Sequence, residues 1–283
     1  LGLMQKIKWT NNKLVLNRSF FDTIIQKRGS KMNWESVKNQ LIDFLRTELE
    51  KTGAKGAVLG LSGGLDSAVV AILCKEAYGE NFLAVLLPSQ FSNYTSAKDA
   101  VELCHKYSIK YETVSIAPLV EAYEKSTNNN KLRIGNFSAR MRMAVLYDIS
   151  ARENYIVVGT SNKSEILLGY GTIFGDTACA INPIGEIYKS DEFEFAQYLG
   201  VTEAILSKRP SADLWEGQAD EDELGYTYKQ MDDAMKLIFD EGKSADDAIN
   251  EGQSKHMIEM ILRRNKANAF KCKLPTIAKI TQE

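Results

Sequence analysis

The chain has 283 residues, 44% of them hydrophobic and 25% charged, with a formal net charge of −2, so it can bury a sizeable core and reads as an ordinary globular protein. No apolar run approaches the roughly 18 residues of a bilayer-crossing helix, which excludes a membrane partner. Cys74, Cys104, Cys179 and Cys272 are scattered with no C-x-x-C pair, which argues against a zinc knuckle or disulfide framework and for a reducing cytoplasm.

Residues 1–31 differ from the rest. They carry seven Lys or Arg against one acidic residue, Asp22, a surplus of +6 that leaves −8 for residues 32–283. They lack the long apolar stretch of a signal peptide and end in the Gly29-Ser30-Lys31 break. Three readings stand: a translated upstream stretch or cloning remnant, which is favoured, an unusual leader, or a family-specific extension. The remaining chain is expected to form one domain, residues 32–283, whose negative balance makes it a poor nonspecific binder of nucleic acid.

In chain order, Trp34, Val37, Leu41, Phe44, Leu45 and Leu49 recur at helical spacing over 34–49. A short apolar run over 57–61 then reads as a strand, followed by the tight turn Ser62-Gly63-Gly64 and a helix over 67–78. The alternation continues with strands at 82–87, 110–115 and 155–159 and helices at 96–107 and 136–152. Strands separated by crossover helices predict a doubly wound α/β fold, a parallel sheet flanked by helices on both faces. Beyond Gly159 the chain is loop-rich. Helices are expected at 191–199 and 202–206, a loop that could serve as a lid at 208–225, and a helical tail at 228–240, 245–251 and 254–268.

The segment Gly60-Leu61-Ser62-Gly63-Gly64-Leu65-Asp66-Ser67 carries the most chemistry. A strand ends and a helix begins within it, so the first amides of that helix lack internal partners and, with the helix dipole, form an anion site. Gly63 and Gly64 remove Cβ atoms that would hold phosphate oxygens off, and Ser62 and Ser67 offer hydroxyls. Asp66 would repel phosphate directly, so its expected task is to hold Mg²⁺. A capped glycine turn is the bland alternative. The absence of a Walker A lysine argues against γ-phosphate transfer. His105 and His256 have no nucleophile motif beside them and are read as packing residues.

The S-G-G-x-D-S pattern resembles the ATP pyrophosphatases, which cleave ATP between its α- and β-phosphates. Downstream, Gly159-Thr160-Ser161-Asn162-Lys163-Ser164-Glu165 resembles the G-T-x-x-x-x-E block of the ammonia-dependent NAD synthetases. Asn136-Phe137-Ser138-Ala139-Arg140-Met141-Arg142-Met143 is similar to their N-x-x-A-R-x-R-M helix. The resemblance implies that Thr160, Lys189 and Ser211 contact ATP, that Asp66 and Glu165 hold the metal, and that Arg140 and Lys266 contact the dinucleotide. It covers essentially 32–270, with departures. The family's G-D-G-G-A-D reads Gly175-Asp176-Thr177-Ala178-Cys179-Ala180, a frequent upstream lysine is Ile173, and a His-Lys pair is Asn265-Lys266.

The reaction so implied is ATP-dependent amidation of deamido-NAD by free ammonia through an acyl-adenylate, with AMP and pyrophosphate released. Asp66 and Lys189 would be catalytic, with Asp176 as the group that takes a proton from ammonium or orients it. A homodimer is implied because the family places the dinucleotide at a subunit boundary. The rivals are a tRNA-modifying or other adenylating enzyme, which would need a basic RNA-binding module, and a noncatalytic nucleotide-binding protein, which gives no reason for Asp66, Glu165 and Lys189 as a set.

Overall fold

The structure is a computed structural model that describes residues 32–128, 130–211, 220–273, 275, 277, 278 and 280. The chain divides into units 1–37 and 38–283. Residues 1–31 and the central part of the expected lid, 212–219, lie outside the described residues. The second unit holds the whole sheet and every candidate site residue.

The elements are α1 (Trp34–Thr52), β1 (Gly56–Gly60), α2 (Leu65–Tyr78), β2 (Phe82–Leu86), α3 (Tyr94–Tyr107), β3 (Lys110–Thr113), α4 (Ala117–Glu124), α5 (Lys131–Glu153) and β4 (Tyr155–Val157). After these come α6 (Lys163–Leu168), α7 (Lys189–Leu199), α8 (Glu203–Leu206), α9 (Asp220–Leu224), α10 (Tyr228–Met235), α11 (Ala245–Asn250) and α12 (Lys255–Asn268). A π-helical turn, Lys236–Asp240, extends α10.

The four strands pair in parallel in the order β3-β2-β1-β4. The chain moves outward from β1 to β3 and then crosses back to place β4 on the other side of β1. The strand order therefore reverses between β1 and β4, and in open α/β sheets the crevice at such a reversal, at the carboxyl ends of the strands, is where ligands bind. The strands are short runs of buried apolar residues because both faces are covered. Val58, Val85 and Val157 pack with Ile134 and Ile149 of α5 and with Ile116 and Val120 at α4. Helix α2 packs on β1 and β2 and against α7, which is why its residues from Ala68 to Cys74 are all buried. Each fully buried aliphatic side chain there stabilises the fold by roughly 1.5–3 kcal/mol.

Several expected boundaries move. Helix α5 begins at Lys131 because Asn130 caps it, its side chain accepting from the Arg133 amide. The expected loop 208–225 ends in a helix, α9, whose Asp220 and Leu224 are buried. The C-terminal helices are more than a tail. Tyr228, Met231, Met235, Ile258 and Ile261 build a second core with Leu168 and Tyr188, so α10 and α12 support α6 and α7 directly.

Candidate active site

Helix α2 starts without a side-chain cap, since its N-cap is Gly64. Its first-turn amides therefore have no partner within the helix. The loop before it is internally braced. Gly64 N donates to Ser62 Oγ at 3.1 Å, Ser62 Oγ lies 3.0 Å from Ser67 Oγ, and the Ser67 hydroxyl donates to Gly64 O at 3.1 Å. The two hydroxyls expected to meet phosphate hold the loop in shape here. Gly63 differs from expectation too. Its φ is +80°, and a Cβ on it would lie 2.0 Å from the carbonyl oxygen of Ser96, so the glycine is demanded by neighbouring backbone rather than by room for a ligand.

Four charged groups converge beside this loop. Lys189 Nζ pairs with Asp66 Oδ2 and lies 3.2 Å from Glu192 Oε2. Asn162 joins the two strand ends. Its side-chain amide donates to Asp66 Oδ1 at 2.7 Å while its oxygen accepts from the Glu165 amide at 3.0 Å. The Asn162 amide in turn donates to the Glu165 carboxylate at 3.2 Å, completing a capping box that starts α6. Asp232 of α10 locks the other side. It accepts from Ser164 Oγ at 2.6 Å and from the Ser190 amide at 2.8 Å, and Ser164 Oγ accepts from the Lys189 amide at 2.9 Å. The starts of α6 and α7 are thereby tied to one buried carboxylate.

Burial sets the electrostatics. It pushes the Asp66 carboxyl up, but the Lys189 charge, with hydrogen bonds from Glu192, Lys189 and Asn162, more than reverses this, and Asp66 titrates below the usual range. Glu165 is held well above it, first by burial and then by the negative charge of Asp66. Glu192 is raised for the same two reasons. Burial disfavours the Lys189 ammonium, yet Asp66, Glu192 and Glu165 together keep it charged beyond its ordinary range. Burial and shared negative charge thus favour the neutral forms of Glu165 and Glu192, while the Lys189–Asp66 pair favours its charged form.

A cavity of about 1230 Å³ opens over this cluster at the carboxyl ends of the strands. Gly60, Leu61, Ser62, Gly64, Leu65, Asp66 and Ser67 line it, as do Thr160, Glu165, Asp176, Lys189 and Ser211. Gly63, Arg140 and Lys266 are not in its wall. The Arg140 Nε donates to the carbonyl of Ile173 at 3.3 Å, and Arg142, two positions on, lines the cavity in its place. Asp176 accepts from the Thr172 amide, and burial raises its carboxyl above the usual value. Sequence reasoning did not single out Glu192, Asp232, Lys208 or Lys271, nor any role for Asn162. Only Asn162 left a local signal, the N-x-x-E spacing of a capping box.

The donor set fits a hard divalent cation. Three carboxylates, Asp66, Glu165 and Glu192, gather around a single ammonium, that of Lys189. Among the described residues no group of three or more His, Cys, Asp or Glu is arranged to hold a metal alone. A cation here would complete its shell with ligand phosphates and water, as Mg²⁺ usually does.

A parallel sheet whose reversal point carries an uncapped glycine loop, a buried lysine and hard oxygen donors is an α/β anion-binding site of the kind that the resemblance to the ATP pyrophosphatases implies. Comparison with known proteins narrows the class. The family model described as NAD synthase matches residues 37–275. The NH(3)-dependent NAD(+) synthetase of Wolinella succinogenes is 50% identical over 252 residues, 88% of this chain and 97% of its own. Among solved structures, an NMN synthetase from Francisella tularensis superposes with a TM-score of 0.79 at 36% identity, covering 88% of this chain and 100% of that one. The NH3-dependent NAD synthetase from Campylobacter jejuni in complex with the nitrate ion gives 0.75 at 39% identity, with the same coverage. The chain belongs to the NAD synthase family.

Proposed function

We propose that this chain is an ammonia-dependent carbon-nitrogen ligase that amidates deamido-NAD to NAD at the expense of ATP. The observation that carries the reading is the Lys189–Asp66 pair, with its lysine buried and its aspartate half-buried, beside the uncapped start of α2 in the wall of a cavity of about 1230 Å³.

In this reading the nicotinate carboxylate attacks the α-phosphorus of ATP, the bond from that phosphorus to the α–β bridging oxygen breaks, and pyrophosphate leaves. Ammonia then attacks the acyl carbon, the acyl–oxygen bond breaks, AMP leaves, and the surplus proton on nitrogen passes to Asp176. The amides of Leu65 and Asp66 hold the departing pyrophosphate, and the Lys189 ammonium offsets its charge. Thr160 and Ser211 position ATP. Catalysis here is positioning plus electrostatics. Asp66 and Glu165, with Glu192 beside them, would hold Mg²⁺, which supplies charge neutralisation on the polyphosphate when bound. Burial raises the Asp176 carboxyl above its ordinary value, the direction that makes it a better proton acceptor.

The finer assignments belong to the same proposal: a cytoplasmic homodimer with no nucleic-acid or membrane partner, in which Arg140 and Lys266 contact the dinucleotide across a subunit boundary. Two features support the dimer. Leu119 of α4 and Leu132 and Tyr147 of α5 are exposed, and Arg140 lies on α5 outside the cavity of its own chain. No described helix is long and apolar enough to cross a membrane.

The test is to supply ATP, Mg²⁺ and ammonium with either deamido-NAD or nicotinate mononucleotide. The structural likeness to an NMN synthetase makes the mononucleotide the proper competitor. Faster turnover of deamido-NAD to NAD, with AMP formed in equal amount, supports the proposal. A preference for the mononucleotide would reassign the substrate.

A further inference from the structure

Lys208 stands apart from the cluster around Lys189, on the opposite side of the glycine loop. Its ammonium donates to the carbonyl oxygen of Gly63 at 3.0 Å and to Ser96 Oγ at 3.2 Å. It lies 2.6 Å from Asp99 Oδ2 in a close ion pair. Asp99 is buried. A buried carboxylate fixes the lysine, and the lysine fixes one particular carbonyl.

That carbonyl governs the cradle. A trans peptide is planar, so the C=O of Gly63 and the N–H of Gly64 point in opposite directions. Holding Gly63 O toward Lys208 turns the Gly64 amide the other way, toward Ser62 Oγ and the cavity wall. The peptide lies between two glycines, the pair for which rotation of the whole unit meets least steric resistance. Were it to rotate, the Gly63 carbonyl oxygen would face the polyphosphate as a repelling acceptor, and the Gly64 amide would lose Ser62 Oγ, the bond that braces the loop. The sequence uses glycine at 63 because Ser96 crowds it, and that choice leaves the peptide in need of an external fastener.

We propose that Lys208, held by Asp99 and Ser96, is a positioning residue that locks the Gly63–Gly64 peptide with its carbonyl turned away from the cavity and its N–H on Ser62 Oγ, so that the loop presents the amides of Leu65 and Asp66 to the nucleotide polyphosphate. This rests on the nucleotide reading of the cavity and adds to it a residue from a remote segment. Lys208 acts through the loop and is distinct from Lys189, which faces the same cavity from the Asp66 side.

The experiment uses the full chain and inorganic pyrophosphate as probe, measured by calorimetry, with the Gly64 amide followed by NMR in selectively labelled protein. Lys208→Met should weaken pyrophosphate binding about tenfold, the size of coupling typical of residues in contact, and should shift or broaden the Gly64 amide resonance before any ligand is added. Lys208→Arg should restore both. Because Lys208→Met strands a buried carboxylate, the double variant with Asp99→Asn serves as control: recovered thermal stability with binding still weak supports the proposal. Recovered binding in the double variant would overturn it, as would an unchanged Gly64 amide, the mark of a direct phosphate ligand. If the unaltered chain bound no pyrophosphate, the nucleotide reading would fall as well, whereas equal binding by all variants would sink the positioning role alone.

Discussion

Lys189 and Asp66 are 123 positions apart and meet as a part-buried ion pair, with Asn162 on the second oxygen of Asp66 and Glu192 on the ammonium. The pair joins α2, the helix after β1, to α7, the second helix after β4. It thus spans the sheet's reversal point and makes the two halves of the site one electrostatic unit.

Asp66→Asn removes the negative charge but keeps an oxygen for Asn162. It is expected to lower turnover by about 10²–10³, the usual cost of losing one preorganised charge-stabilising group, with far-ultraviolet circular dichroism unchanged. Steady-state assays of NAD formation over a range of Mg²⁺ concentration check this. Activity within a factor of two of the unaltered chain would remove Asp66 from the chemistry.

The raised carboxyls predict a pH effect on the free protein. Glu192 has a folded pKa above its unfolded value near 4.5, so the folded state binds more protons between the two values. Its contribution to stability is complete below about pH 4.5 and is lost as pH rises through the raised pKa. Glu192→Gln should therefore raise the thermal midpoint at pH 8 by about 2–4 °C and much less at pH 4, while lowering turnover. Thermal scans of both proteins across that range provide the comparison.

Charging those same carboxyls has a second consequence. Binding of a divalent cation with ATP must displace protons from Glu165 and Glu192. Titration calorimetry in buffers of different ionisation enthalpy should record net proton release near pH 7. Chelation of the metal should abolish it.

Asp232 makes no contact with the cavity wall in the sense that Lys189 does, yet it fastens the starts of α6 and α7. Asp232→Ala leaves the Ser190 amide and the Ser164 hydroxyl without their buried acceptor. It should cost about 2–4 kcal/mol of unfolding free energy and reduce turnover through displacement of Glu165 and Lys189. Urea unfolding measured alongside kcat separates this from Asp232→Asn, which retains one acceptor and should be milder on both counts.

The sheet was legible because each strand is an apolar run bounded by turn residues, and helices of crossover length between strands leave parallel pairing as the outcome. Helix α4 was not, because it is only eight residues long and buries only Val120 fully; its one signal is a proline in the first turn. The glycine loop before α2 and the carboxylates Asp66 and Glu165, which line the cavity, stood out as local motifs. Glu192, Asp232 and the Lys208–Asp99 pair did not, since each is an ordinary charged residue on a helix or loop until the tertiary fold buries it. The role of Gly63 is hidden for a related reason: the atom that excludes a Cβ belongs to Ser96, on another helix.

The account turns on attack by a carboxylate at the α-phosphorus of ATP, and an isotope experiment addresses that step directly. Deamido-NAD labelled with ¹⁸O in its nicotinate carboxylate should, on amidation with ATP and ammonium, deliver one labelled oxygen to the phosphate of AMP. Label found in inorganic phosphate alongside ADP, or AMP free of label, would contradict it.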